Sequence, residues 1–338
     1  MFLSDTLNRP VRDVRISVTD RCNFRCPYCM PAEIYGDRYK FLPKEQLLTF
    51  EEISRLTSLF MQLGAQKVRL TGGEPLVRNG IEDLVAMLTG VEGVRDLTMT
   101  TNAYLLPQKA HLLKKAGLHR LTISLDSLND EIFRKMNGRN FGTESVLKGI
   151  ASAEQAGFSN IKINAVVQRG VNDHTVVDMA RYFKERGHTI RFIEYMDVGT
   201  LNGWRMDDVV PAEEIISRID EVLPLEPIES SYRGEVALRY QYRDGGGEVG
   251  VIASVTEPFC GDCTRLRLSP EGLIVTCLFA TSGTDLRGPL RDGASDDELV
   301  DVISSRWRTR ADRYSEERAS MTEELRQREK VEMYHIGG

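Results

Sequence analysis

The chain has 338 residues, with 44 Lys and Arg against 50 Asp and Glu and a formal net charge of −6. That length suits one large α/β unit with an appendage, or two domains, and the mild acidity argues against a general binder of nucleic acid or anionic membrane. No apolar run reaches membrane-spanning length and Met1–Pro10 lacks a basic-then-apolar leader pattern, so a soluble, cytoplasmic protein is expected.

In chain order, the segment from Asp13 to Thr19 alternates like a strand, with Val14, Ile16 and Val18 on one face and Arg15, Ser17 and Thr19 on the other. A cysteine-rich loop and an irregular stretch from Pro31 to Pro43 follow, and Thr49 is placed to cap a helix that runs to Leu63. Further strands are predicted over 67–71, 96–101, 120–125, 160–167 and 189–196, with helices over 108–116, 130–136, 146–155 and 176–186 between them. Strict βα alternation implies a parallel sheet. Six units predict an incomplete (β/α)6 barrel over residues 11–224, with a doubly wound sheet as the competing architecture.

From about Gly199 the alternation breaks. A helix starts at Pro211, Pro224 and Pro227 mark a linker, and 236–242 with 249–252 read as antiparallel strands around a Gly245–Gly247 turn. Residues 225–338 therefore form a C-terminal antiparallel and helical extension, with a charge-dense helix expected over Ser304–Lys330 and a flexible end from Tyr334 to Gly338.

The six cysteines form two triplets, Cys22, Cys26 and Cys29, then Cys260, Cys263 and Cys277. Three thiols at Cys-x3-Cys-x2-Cys spacing are one short of the four that hold a four-iron cluster, which leaves one iron open for a ligand. The competing reading is structural zinc, but zinc motifs pair Cys-x2-Cys with a second Cys or His pair, and the nearest later histidine is the distant His111. Without a secretory signal, disulfide pairing ranks below metal ligation.

Functional groups of such sheets gather at the C-terminal ends of the strands. There, Gly72-Gly73-Glu74-Pro75 offers a backbone that a ligand can approach closely and a carboxylate that can meet an ammonium group, while Thr100, Thr101 and Ser124 end later strands. Arg15, Arg69 and Lys162 fall within strands, where a cation is costly unless it meets an anion. With Arg265 and Arg267, two apart and so on one strand face, they suit a polyphosphate.

The first triplet with Tyr28 resembles the radical S-adenosylmethionine (radical SAM) superfamily. Together with Val14–Asn23, Arg69–Pro75, the second triplet, Cys263–Arg267 and the terminal Gly337-Gly338, it resembles the GTP 3',8-cyclase family of molybdenum cofactor biosynthesis. The resemblance runs from about Val11 to Gly338, and Asn102-Ala103 departs from the Asn-Gly of many relatives. It implies two [4Fe-4S] clusters on the six cysteines, with S-adenosylmethionine at Tyr28, Gly73, Glu74, Ser124 and Met196. It also implies GTP at Arg15, Arg69, Thr100, Lys162, Arg265, Leu266 and Arg267, and a catalytic role for Arg15 and for the Gly337-Gly338 tail entering the site.

The implied reaction begins with reductive cleavage of S-adenosylmethionine; the resulting radical removes the 3' hydrogen of GTP, and C3' closes onto C8. The implied product is (8S)-3',8-cyclo-7,8-dihydroguanosine 5'-triphosphate, the first step of the pathway. Implied partners are GTP, an external electron donor and, downstream, cyclic pyranopterin monophosphate synthase, with a homodimer as a candidate assembly and no membrane or nucleic acid. Two rivals are a radical SAM enzyme that modifies peptides with an auxiliary cluster, and a zinc-dependent scaffold protein.

Overall fold

A computed structural model describes residues 3–200, 202–322, 326 and 328–338. Its strands in chain order are β1 (Asp13–Ser17), β2 (Lys67–Thr71), β3 (Asp96–Thr101), β4 (Arg120–Ser124), β5 (Lys162–Val167), β6 (Thr189–Glu194), β7 (Leu225–Ile228), β8 (Leu238–Tyr242), β9 (Glu248–Ile252), β10 (Arg265–Leu268), β11 (Leu273–Val275) and β12 (Thr284–Asp285). The helices are α1 (Phe50–Gln62), α2 (Ile81–Thr89), α3 (Leu106–Lys115), α4 (Asp130–Asn137), α5 (Thr143–Gln155), α6 (Val176–Glu185), α7 (Ala212–Asp220), α8 (Arg287–Arg291) and α9 (Asp296–Arg308), besides shorter turns.

Among the described residues one sheet runs in the order β12-β11-β10-β1-β2-β3-β4-β5-β6-β9-β8-β7. β1 to β6 lie side by side in sequence order and all parallel, as expected of an incomplete barrel, and the sheet does not close. The C-terminal region extends it at both edges: β10 pairs parallel with β1, and β9 pairs parallel with β6. The antiparallel hairpins β10-β11 and β8-β9 hang from those added strands.

Strand alternation separates two environments. Val14, Ile16, Val68, Leu70, Ile163 and Leu266 are fully buried on the face covered by helices, while Arg15, Arg69 and Arg267 point to the concave face. Thr49 caps α1 in a capping box, its hydroxyl accepting from Glu52 N–H at 3.1 Å and its own N–H donating to Glu52 Oε2 at 2.7 Å.

Several expectations are corrected. The fifth strand begins at Lys162, because Asn160 adopts φ 50°, a turn conformation that cannot continue a strand. The supposed linker around Pro224 and Pro227 contains β7, the last strand of the sheet, where a proline costs no ladder bond. The expected helix over Ser304–Lys330 is instead the end of α9 and two short turns, Tyr314–Glu317 and Arg318–Ser320; residues 323–325 and 327 of that expectation lie outside the described ones. α9 stops where Arg310 turns inward to donate to the Cys263 carbonyl at 2.7 Å. The chain end is docked: Tyr334 and Ile336 are buried, and Tyr334 Oη lies 3.0 Å from Tyr39 Oη. No helix among the described residues is long and apolar enough to cross a membrane.

Trp307 on α9 is fully buried and donates its indole N–H to the Arg9 carbonyl at 3.0 Å, tying the C-terminal region to the segment before β1. Trp307→Ala should lower the unfolding free energy by about 3–5 kcal/mol, read by anaerobic urea unfolding.

Candidate active site

The first thiol triplet occupies the loop after β1. Its shape is fixed by Arg25, which donates to the carbonyls of Cys22 and Phe24 at 2.7 Å each and of Tyr35 at 2.6 Å. Phe24 anchors the loop from below, its ring stacked on Phe141 at 5.5 Å and edge-on to Tyr104 and Phe133. The turn after β2 lies flush against it: Gly73 N–H donates to Thr19 O and Glu74 N–H to Arg21 O, both at 2.8 Å. A Cβ on Gly73 would stand 2.3 Å from Arg21 O, so this glycine is required by contact with the thiol loop, whatever else it touches.

Glu74 is buried, and both of its oxygens are engaged: Oε1 accepts from Thr101 Oγ1 at 2.7 Å and Leu76 N–H at 3.0 Å, and Oε2 from Asn102 N–H at 2.7 Å. It ties the end of β2 to the end of β3 while still lining the cavity. Tyr28 donates to Asp126 Oδ2 at 2.8 Å, and Val166 N–H donates to Asp126 Oδ1 at 2.8 Å. Asp126 was not picked out from the sequence, although it stands two residues after Ser124 at the end of β4.

The second triplet is assembled by the β10-β11 hairpin. Cys260 opens a short turn, Cys263 precedes β10 and Cys277 follows β11. Arg265 donates to Cys263 Sγ at 3.3 and 3.4 Å, and Arg9 donates to the Cys260 carbonyl at 2.7 Å.

The thiols of the two sets differ electrostatically. Burial, then the charge of Glu74, pushes Cys22 up to about 12, and burial likewise raises Cys26, Cys29 and Cys277. Burial also works to raise Cys263, but the charges of Arg265 and Arg310 prevail and bring it down to about 6.

All six cysteines line one cavity of about 300 Å³, together with Arg15, Arg69, Arg265, Arg267, Tyr28, Gly73, Glu74, Thr100, Ser124, Met196 and Gly338. Among the described residues no three His, Cys, Asp or Glu side chains are drawn together as ligands of one ion. The donor set fits iron-sulfur clusters: each triplet presents three thiols to the cavity, and thiolate is the ligand such clusters take.

Between the triplets lies a row of cations. In the ladder, Arg15 pairs with Arg267 on one side and Arg69 on the other, so three arginines stand abreast on adjacent strands. Burial, then Arg267, Arg265 and Arg69, lowers the pKa of Arg15 well below its usual value, and no hydrogen bond among the described residues engages its guanidinium. Arg69 donates to Thr100 Oγ1 at 2.9 Å and Thr122 Oγ1 at 3.0 Å, and Arg267 donates to the Gly337 carbonyl.

Lys162 is at the first residue of β5 and lines a smaller adjoining space of about 40 Å³, which shares Lys67, Arg69 and Arg191 with the main cavity. Arg191, which the sequence reading did not single out, carries the same signal as Arg15, a cation within a strand. Leu266 differs from the rest: alternation turns its side chain into the apolar core, away from the cavity.

The terminal Gly338 lines the cavity, and Gly337 has φ 72°, where an added Cβ would stand 2.1 Å from Thr71 Cγ2. Only glycine fits there.

Burial raises Glu74 to about 7 from 4.5, against its three hydrogen bonds. Between roughly pH 4.5 and 7 the folded state thus holds a proton that the unfolded state has lost, and this group's contribution to stability falls as the pH rises through that window. The ligand-free protein should show a steeper loss of unfolding free energy across this range than Glu74→Gln. Parallel slopes in urea titrations would contradict it.

The Radical SAM superfamily model matches residues 16–183, and the Molybdenum Cofactor Synthesis C model matches residues 188–316. A GTP 3',8-cyclase of Acidothermus cellulolyticus is 51% identical and one of Staphylococcus carnosus 47%, each aligned over 99% of this chain and 99% of its own. Streptococcus suis SuiB bound to S-adenosylmethionine superposes with a TM-score of 0.61 at 15% identity, covering 88% of this chain and 69% of that one, a likeness of fold. With identity near one half sustained along its whole length, the chain belongs to the GTP 3',8-cyclase family of the radical SAM superfamily.

Proposed function

We propose that this protein is a radical SAM enzyme that cyclises GTP to (8S)-3',8-cyclo-7,8-dihydroguanosine 5'-triphosphate in molybdenum cofactor biosynthesis. The observation that carries this reading is the row Arg267, Arg15, Arg69 on the cavity between two thiol triplets. Three like charges abreast, Arg267 buried and Arg15 and Arg69 half-buried, need a polyanion, and a triphosphate supplies one. A peptide substrate would leave that charge unmet, which disfavours the peptide-modifying rival.

In this reading residues 11–224 carry the S-adenosylmethionine chemistry and 225–338 the auxiliary cluster and much of the substrate site. Cys22, Cys26 and Cys29 would hold one [4Fe-4S] cluster, with S-adenosylmethionine against Tyr28, Gly73, Glu74, Ser124 and Met196. Bound together, that cluster and S-adenosylmethionine supply a hydrogen-abstracting radical. Cys260, Cys263 and Cys277 would hold a second cluster with an open site for guanine.

Arg15, Arg69 and Arg267 hold the triphosphate, with Thr100 beside Arg69 and Lys162 in reach from the adjoining space; Arg265 serves the substrate from beside Cys263. The docked tail keeps solvent from the reacting atoms, with Tyr334 and Ile336 buried behind it. A cytoplasmic setting, an external reductant, a homodimer and delivery of the product to cyclic pyranopterin monophosphate synthase belong to the same reading.

Anaerobic reconstitution should yield about eight irons and eight sulfides per chain, whereas one or two zinc ions without sulfide would end the radical reading. Alanine at Cys22, Cys26 or Cys29 should abolish cleavage of S-adenosylmethionine, while alanine at Cys260, Cys263 or Cys277 should spare some cleavage and stop cyclisation. Arg265→Ala and Arg267→Ala should each weaken GTP binding by about 1.5–3 kcal/mol in calorimetry and leave S-adenosylmethionine binding nearly unchanged.

A further inference from the structure

The loop after β6 carries Met196, one of the residues assigned above to S-adenosylmethionine, and the next residue, Asp197, is buried. Its carboxylate gathers groups from the C-terminal segment. Arg318 Nε lies 2.8 Å from Asp197 Oδ1, Lys330 Nζ lies 3.2 Å from Oδ2, and the Tyr314 hydroxyl donates to the same Oδ2. Lys330 Nζ also donates to the Asp197 carbonyl at 3.0 Å.

Two neighbouring bonds repeat the connection. Thr200 N–H donates to Glu332 Oε1 at 2.9 Å, and Lys330 N–H donates to Thr200 Oγ1 at 3.1 Å. A third element is drawn in from the second cysteine set. Phe279, two residues beyond Cys277, stacks on Tyr314 at 4.4 Å and 17°, and the Arg318 guanidinium sits 5.2 Å from its ring centre. Val331 N–H donates to the Ala280 carbonyl at 2.8 Å.

We propose that Asp197 is a positioning residue that latches the C-terminal segment to the Met196 loop and so seats the Gly337-Gly338 tail in the cavity. The physics is that of a buried charge with two counter-ions. Arg318 and Lys330 are both almost wholly withdrawn from water, and Asp197 is the carboxylate they share. Removing its charge leaves two buried cations facing each other, and the segment relieves that repulsion by leaving the surface. Only seven residues lie between Lys330 and Gly338, so the tail follows. The charged groups of the latch, Asp197, Arg318 and Lys330, bond neither the arginine row nor the first thiols; the tail they seat meets Arg267 through the Gly337 carbonyl and Cys29 through the Tyr334 N–H, neutral contacts whose loss leaves the charges of the row and the three thiols in place. It also joins the Met196 loop to the tail mechanically, so that the two walls of the cavity are held in one register.

The seating stands on the geometry alone, whereas its effect on turnover rests on the function proposed above. The test is Asp197→Asn, with Asp197→Glu as the charge-preserving control, in the anaerobically reconstituted holoenzyme. Backbone amide exchange over residues 331–338 should quicken at least tenfold in Asp197→Asn and less in Asp197→Glu. The ratio of S-adenosylmethionine cleaved to GTP cyclised should rise at least fivefold, with GTP affinity within threefold of the parent. Should Asp197→Asn fail to fold, Lys330→Gln removes one counter-ion and its backbone bond to Asp197, and should quicken exchange over the same residues at least threefold. Unchanged exchange in the folded variant overturns the latch, and faster exchange with unchanged coupling overturns its role in turnover. A parent enzyme that cleaves S-adenosylmethionine but never cyclises GTP would instead overturn the proposed substrate, and the exchange measurement would still be read.

Discussion

Like charge in the middle of a sheet is the constraint around which this protein is arranged. Arg267, Arg15 and Arg69 stand in one register row, and two of their strands come from the first 71 residues while the third comes from beyond residue 264. No folding force favours bringing three guanidinium groups together, one buried and two half-buried; the apolar face of the same strands must offset the cost. Val14, Leu266 and Val68 form the row behind, fully buried, and alternation means that the chain cannot have one row without the other. The charge row is thus stabilised by its own backs.

The same economy recurs at the two carboxylates nearest the thiol loop. Glu74 and Asp126 are buried past the ends of β2 and β4, one strand apart, and each joins two elements through backbone amides while keeping an edge on the cavity. A buried carboxylate that takes several donors fixes its loops as firmly as a packed side chain. The loop that bears Cys22, Cys26 and Cys29 is therefore set from three sides: Arg25 inside it, the glycine turn against it and Tyr28 tied to Asp126. The loop is thus shaped by the protein's own contacts.

Closure of the cavity is a matter of the chain's far end. Strand β10 completes one edge of the parallel run, β9 the other, and the last residues fold back under the cation row. Gly337 fits because Thr71 leaves no room for a Cβ there. A free-looking sequence end became a buried element because its neighbours, Tyr334 and Ile336, found apolar partners that composition alone does not announce.

The amino-acid sequence by itself determined the six βα units, the two thiol triplets and the cations within strands, because each of these is a local pattern: alternation, short ligand spacing, a charge where an apolar residue is expected. It also carried the family resemblance. It left Asp126 and Arg191 unmarked, the latter despite bearing the same signal as Arg15. Only the tertiary structure decided that Arg267 lies beside Arg15, that Leu266 faces the core, that Lys162 opens onto an adjoining space and that the tail is seated. These depend on pairing between segments some 250 residues apart, as Asp13 with Arg265, and on side-chain contacts that form only when the sheet has folded. Such contacts leave no periodicity to read, since parallel pairing of distant strands is chosen by the packing of the whole sheet and not by any one stretch of chain.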